Sequence, residues 1–152
     1  MRLFIFALVF SGFAHSGELD GKGIACLYFW QAYGTYWYMF DENEVTEFHL
    51  KSVEVARSVE GTLISTEKYE IEKDALGEYE VRPTEIVWGG YVYLDRATLE
   101  LQLRDSSNHV SSRAECSVTD WEGLERSMES SRAHYQNSVD EELNKKLKNR
   151  KI

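Results

Sequence analysis

Two cysteines, Cys26 and Cys116, stand 90 positions apart, each inside a run of strand-forming residues. In an oxidising compartment such a pair most simply forms one disulfide, which would tie the first strand of the chain to the last. A closed loop of that length removes on the order of 4–5 kcal/mol of unfolded-state freedom in the chain-entropy account. The alternative is a pair of buried free thiols. The spacing is not C-x-x-C, which argues against a redox couple.

The N-terminus bears on which alternative holds. Arg2 supplies a minimal positive start, residues 3–10 are an unbroken apolar run, and residues 11–16 are small or polar enough for a cleavage region. This pattern predicts a signal peptide over residues 1–16, cut after Ser16 or, failing that, at Ala14, and a single domain over residues 17–152. The run is far below the roughly 20 residues a spanning helix needs, so no integral membrane segment is expected in the mature chain. The predicted location is the periplasm or the exterior.

The formal net charge is -9, and loss of Arg2 makes it one unit more negative. A nucleic-acid partner is excluded on that balance, because neutralising phosphates needs a basic face. An apolar content of 43% is enough for one core.

Between the cysteines the chain reads as short strands joined by polar turns. Residues 24–30 and 36–40 are aromatic and apolar on both faces, with a turn at Gly34 between them. The acidic turn over residues 41–44 lacks the ligand spacing and central glycine of a calcium loop. In residues 45–56, Phe48 and Leu50 share one parity and Val53 and Val55 the other, which a bulge near Lys51 and Ser52 would reconcile. Residues 63–64, 69–71, 79 and 81 continue the pattern, with turns at Gly61 and over residues 74–77. Pro83 marks a strand end or edge. Gly89 and Gly90 signal a tight hairpin or a bulge between 86–88 and 91–94, and Leu99, Leu101 and Leu103 alternate with polar residues as a half-buried strand. Residues 113–118 are the last strand. The expected fold is mainly β: an antiparallel meander or small, partly closed barrel.

After Cys116 the period changes. Thr119 followed by Glu122 fits a capping box, and Trp121, Leu124, Met128, Tyr135, Val139, Leu143 and Leu147 fall on one face of a helix over about residues 120–148. Glu141 with Lys145 and Glu142 with Lys146 are favourably oriented pairs.

The leader, the early strand cysteine, the glycine-rich hairpin, the run Asp95-Arg96-Ala97-Thr98-Leu99-Glu100-Leu101, the second cysteine and the terminal helix together make the chain resemble short uncharacterised exported proteins of marine bacteria. The resemblance implies export and brings no activity with it. At the level of fold alone the order of elements is similar to lipocalin-type barrels, although the Gly-x-Trp of their first strand is missing here.

The sequence carries little recognisable chemistry. His49, His109 and His134 show no paired ligand spacing, so neither a metal nor another cofactor is called for. There is no nucleophile elbow, zinc-protease helix or phosphate loop. The feature above background is aromatic density. Trp30, Tyr36, Tyr38, Trp88, Tyr91 and Tyr93 lie in two hairpin regions, where they either fill the core or line a pocket or platform. The functional expectation is an exported, non-catalytic binding protein for a small apolar or amphipathic ligand. The alternatives are a structural or protein-interaction module using the C-terminal helix, and a hydrolase with a carboxylate site.

Overall fold

The computed structural model describes residues 19–28, 34–59 and 61–150. The strands are β1 (Lys22–Tyr28), β2 (Thr35–Asp41), β3 (Glu44–Val59), β4 (Thr62–Val81), β5 (Glu85–Trp88), β6 (Val92–Asp95), β7 (Glu100–Arg104) and β8 (Val110–Thr119), followed by one helix, α1 (Trp121–Arg150). Each strand pairs antiparallel with the next and β8 pairs back onto β1, so the meander closes fully into a barrel. The signal peptide expected over residues 1–16 lies outside the described residues.

Cys26 and Cys116 sit directly opposite one another across the β1–β8 seam and are disulfide-bonded. The Cys116 amide donates toward β7, to the Leu99 carbonyl at 3.0 Å. Toward β1 the two cysteines are therefore a non-hydrogen-bonded pair, the kind in which facing side chains come closest. The free-thiol alternative falls away.

Strand alternation sends Ile24, Cys26 and Tyr28 of β1, Tyr38 and Phe40 of β2, and Ile86, Trp88, Leu94 and Leu101 of the later strands into a single buried cluster. Trp88 meets Tyr38 and Phe40 edge-on, with ring centroids 5.2 and 5.3 Å apart, an arrangement that aromatic quadrupoles favour. One end of the barrel is floored by the entry segment. There the Asp20 carboxylate accepts from the Tyr79 hydroxyl at 2.9 Å and the Asn43 amide at 3.1 Å.

The opposite parity of β2 faces outward, and α1 packs there. Trp37 is fully buried beneath Leu124 and Met128, and its Nε1–H donates to the Ser127 hydroxyl at 3.0 Å. A side chain at position 23 would stand between the sheet and the helix: a Cβ on Gly23 would lie 3.0 Å from Leu124 Cβ. Glycine at that position permits the close approach. The helix cap is Asp120, whose carboxylate accepts the Gly123 amide at 2.8 Å; this corrects Thr119 as the cap. Asp120 immediately precedes the first helical residue, where a short carboxylate reaches the third free N–H and also suits the helix dipole. Of the two expected charge pairs on the helix, Glu142 with Lys146 is present at 2.7 Å.

β3 and β4 outrun the barrel. β3 pairs with β2 only as far as Phe48, and β4 pairs with β5 only over residues 79–81, so among the described residues 49–72 pair only with one another. The helix, about 45 Å long at 1.5 Å per residue, runs from the barrel along this ribbon. Gln136 meets the outer edge of β4 as a neighbouring strand would: its Oε1 accepts from the Tyr69 amide at 3.0 Å and its Nε2 donates to the Glu67 carbonyl at 3.4 Å. That edge would otherwise be a template for strand addition. Asp140 extends the contact by accepting from Gln136 at 3.2 Å and from Arg57 at 2.8 Å.

Three local expectations are corrected. Residues 74–77 form no turn: β4 runs straight through them, and the positive φ of Gly77 (82°) serves a bulge that leaves Leu76 without a partner, the register jumping from Val45↔Gly77 to Thr46↔Ala75. The pairing is continuous across Lys51 and Ser52, so no bulge lies there. Helix contacts nonetheless pass from Leu50 and Tyr69 near the barrel to Arg57 and Thr66 of the other parity further out, as the strong twist of a two-stranded ribbon allows. Leu99 is the last residue of a turn, with φ 57°, and β7 begins at Glu100.

The Gly23 contact is directly testable. Gly23→Ala should lower the urea unfolding free energy by about 1–3 kcal/mol, the usual range for overpacking, while Gly21→Ala, where a Cβ meets nothing within 4 Å but φ is 75°, tests backbone strain separately. A neutral Gly23→Ala would mean that the helix is not seated on β1.

Candidate functional site

The barrel changes character at the end where β1 stops at Tyr28. Beyond Val45 the inward positions of β3 are Glu47 and His49, and the strand register places Asp74 opposite Glu47 and Glu72 opposite His49. The Leu76 bulge decides this pairing. Without the extra residue, Ala75 would face Glu47 and Lys73 would face His49; with it, two carboxylates do. A bulge beside a site commonly re-aims side chains in this way.

His49 Nε2 approaches Glu72 Oε2 at 3.3 Å, whereas Nδ1 lies 3.8 Å from Glu47 Oε1 and 3.7 Å from Asp74 Oδ2. The last two exceed hydrogen-bond length. Nδ1 is enclosed and has no hydrogen-bond partner among the described residues. One donor atom each from Glu47, His49 and Asp74 lies within 4.8 Å of the others.

Tyrosines line the same end. The Tyr28 and Tyr38 hydroxyls are 3.2 Å apart, and Tyr38 is hydrogen-bonded in turn to the Glu47 carboxylate, so a chain of phenols leads to the acid. Burial pushes the Tyr28 hydroxyl up to about 12 and Tyr38 higher still. It also raises the Glu47 carboxyl, to which the charge of Asp74 adds, against the Tyr38 hydrogen bond and His49, which lower it. The Tyr36 ring sits 5.1 Å from Tyr28 and 6.0 Å from His49.

The aromatic residues singled out from the sequence separate into distinct environments. Tyr36 is half-buried at this end of the barrel, and Tyr91, 45% exposed on the β5–β6 hairpin, acts electrostatically on Tyr28. Tyr38 and Trp88 are each 1% exposed and belong to the packed interior. Tyr93 points outward beneath Arg104, whose Cζ is 4.0 Å from the ring centre. Trp30 lies outside the described residues. Sequence reasoning missed Tyr28, Glu47, His49, Glu72 and Asp74 as a group. Their positions come together only through the bulged register of a long hairpin, although Tyr28 and the odd-parity Glu47 and His49 were available as local signals.

The Asp95-Arg96-Ala97-Thr98 run has a structural task at the floored end. Asp95 accepts from the Ala97 and Thr98 amides at 2.9 and 2.8 Å, which holds its carboxyl below the usual range. Arg96 ties the turn to the Arg82 and Pro83 carbonyls at 3.0 and 3.1 Å. Comparison with known protein families, curated proteins and solved structures finds no match for this chain.

The buried phenols predict an alkaline instability. The unfolded chain ionises its tyrosines near pH 10, while folded Tyr28 keeps its proton to about 12 and Tyr38 beyond. The stabilising difference is therefore complete below about pH 10 and is lost as pH rises above it, by up to about 1.4 kcal/mol per pH unit for each group. Urea midpoints measured between pH 8 and 11.5 should fall above pH 10, and Tyr28→Phe with Tyr38→Phe should flatten the fall.

Proposed function

We propose that this is an exported, non-catalytic binding protein that takes a small amphipathic ligand at the Tyr28 end of its barrel. The observation that carries the reading is the meeting of aromatic and acidic surface in one place. Tyr36 and Tyr91 supply reachable ring surface, and Glu72 and Asp74, with exposures of 40% and 57%, supply carboxylates beside it. Such a surface suits a ligand with an apolar body and a cationic head, because rings and carboxylates both attract positive charge. Deeper in, Tyr38, Phe40 and Trp88 fill the barrel, so the ligand would rest on the rim rather than descend into the interior.

Export is supported by the leader pattern and by the disulfide, which fits an oxidising compartment. No helix among the described residues is long and apolar enough to cross a membrane. The helix is the weaker candidate for a partner surface, since Leu124 and Met128 are buried on the barrel and Val139, Leu143 and Leu147 face the ribbon.

Native mass spectrometry of the protein recovered from its exported fraction should show a discrete added mass that disappears on denaturation. Titration with dodecyltrimethylammonium supplies a defined probe, and Tyr36→Ala or Tyr91→Ala should weaken its binding about tenfold, equivalent to about 1.4 kcal/mol. A bare protein whose probe affinity is unchanged by both substitutions would contradict the reading.

A further inference from the structure

We propose that Glu47, His49 and Asp74 form a binding site for a divalent transition-metal cation of the zinc class. This inference goes beyond the ligand reading above; the two share Glu72 and Asp74, so the dodecyltrimethylammonium titration is made on chelator-stripped protein and the metal titration without organic ligand.

The argument starts from the histidine. Its Nε2 is directed at Glu72 Oε2, 3.3 Å away, and a carboxylate in that position fixes Nε2 as the protonated nitrogen, leaving the Nδ1 lone pair free. Nδ1 is enclosed, has no hydrogen-bond partner among the described residues, and faces one oxygen of Glu47 and one of Asp74 at 3.8 and 3.7 Å. With Nε2 as the protonated nitrogen, three electron-rich atoms converge, and the cluster is held either by a second proton on the imidazole, as an ion-pair network, or by a metal cation, for which it is a ligand set.

The separations suit a small ion. Bonds of about 2.0–2.2 Å from a tetrahedral centre to nitrogen and oxygen put neighbouring ligands roughly 3.3–3.6 Å apart. The two gaps to Nδ1 are a few tenths of an ångström larger and all three donor atoms lie within 4.8 Å of one another; Asp74, the most exposed of the three, can close the set by a side-chain rotation. One imidazole and two carboxylates favour zinc, cobalt or nickel over calcium, which takes oxygen ligands alone. Glu72 behind the histidine and Tyr38 behind Glu47 hold the outer positions in which orienting partners are found around metal ligands.

The test uses the full oxidised protein, stripped with a chelator and titrated with Zn²⁺ by calorimetry and with Co²⁺ by visible absorption. One equivalent of each metal should bind, with the intense visible bands of four-coordinate cobalt. His49→Gln and Asp74→Asn should each abolish the stoichiometric site. Glu72→Gln should weaken it roughly 10- to 100-fold, as removal of an orienting carboxylate does. His109→Gln, at the exposed histidine 3.8 Å from Asp105, should change nothing. Circular dichroism of each variant confirms that the barrel is folded. No stoichiometric uptake, or uptake unchanged in folded His49→Gln or Asp74→Asn, would show that the cluster is an ion-pair network only. Because no organic ligand is present, these outcomes are separate from those of the dodecyltrimethylammonium titration.

Discussion

The pairing of β1 with β8 is the constraint on which the rest of the structure depends. An antiparallel meander left open presents two edges of unpaired amides and carbonyls, and here the first and last strands satisfy one another along six residue pairs from Gly23↔Thr119 to Tyr28↔Ala114. The Cys26–Cys116 disulfide sits within that seam, so the covalent tie and the hydrogen-bonded closure enforce the same register. Closure then fixes which side chains point inward. A slip of one residue along β1 would turn Ile24, Cys26 and Tyr28 to the outside and bring Ala25 and Leu27 in.

Everything outside the barrel builds on that seam. β1 and β2 supply the outer floor on which Leu124 and Met128 are buried, and the direction of the helix is set there. The helix then reaches the far part of the β3–β4 hairpin, which has no other strand partner among the described residues. Contacts change kind along the way: apolar burial near the barrel gives way to the Gln136 amide on the β4 edge and the half-exposed Arg57–Asp140 pair. An ion pair of that exposure contributes up to about 1 kcal/mol. The outer part of the arm is thus held more weakly than the barrel to which it is attached.

Much of this architecture was legible in the sequence because it rests on local periodicity. The alternation of Leu101 and Leu103, the double glycine at 89–90 and the helical stripe from Leu124 to Leu147 each reflect a short-range geometric rule, and the disulfide was expected from two cysteines together with the leader-like pattern of the N-terminal sequence. What stayed hidden depends on pairing between distant segments. Gly77 announced a break in the strand, but a glycine signals a turn and a bulge equally well, and only the register shows that it makes a bulge. The same bulge places Asp74 and Glu72 opposite Glu47 and His49, so the ionisable cluster was as hidden as the register. Tyr38 and Trp88 were recognisable as important by size; their residence in the core rather than at the rim depends on closure of the barrel.

The resulting picture is a barrel floored at one end by Asp20 and Tyr79, filled with aromatic side chains, and carrying at the other an acid–histidine cluster beside Tyr36 and the Tyr28–Tyr38 pair. Native-state amide hydrogen exchange tests it most directly, since it reads the strength of the seam residue by residue. The β1 and β8 amides across the disulfide should be among the slowest in the protein and exchange only through global unfolding, while residues 53–59, 62–66 and 139–147 of the arm exchange faster through local opening. Fast exchange along β1 and β8, as at the edges of an open sheet, would contradict the closed barrel and the site that its register assembles.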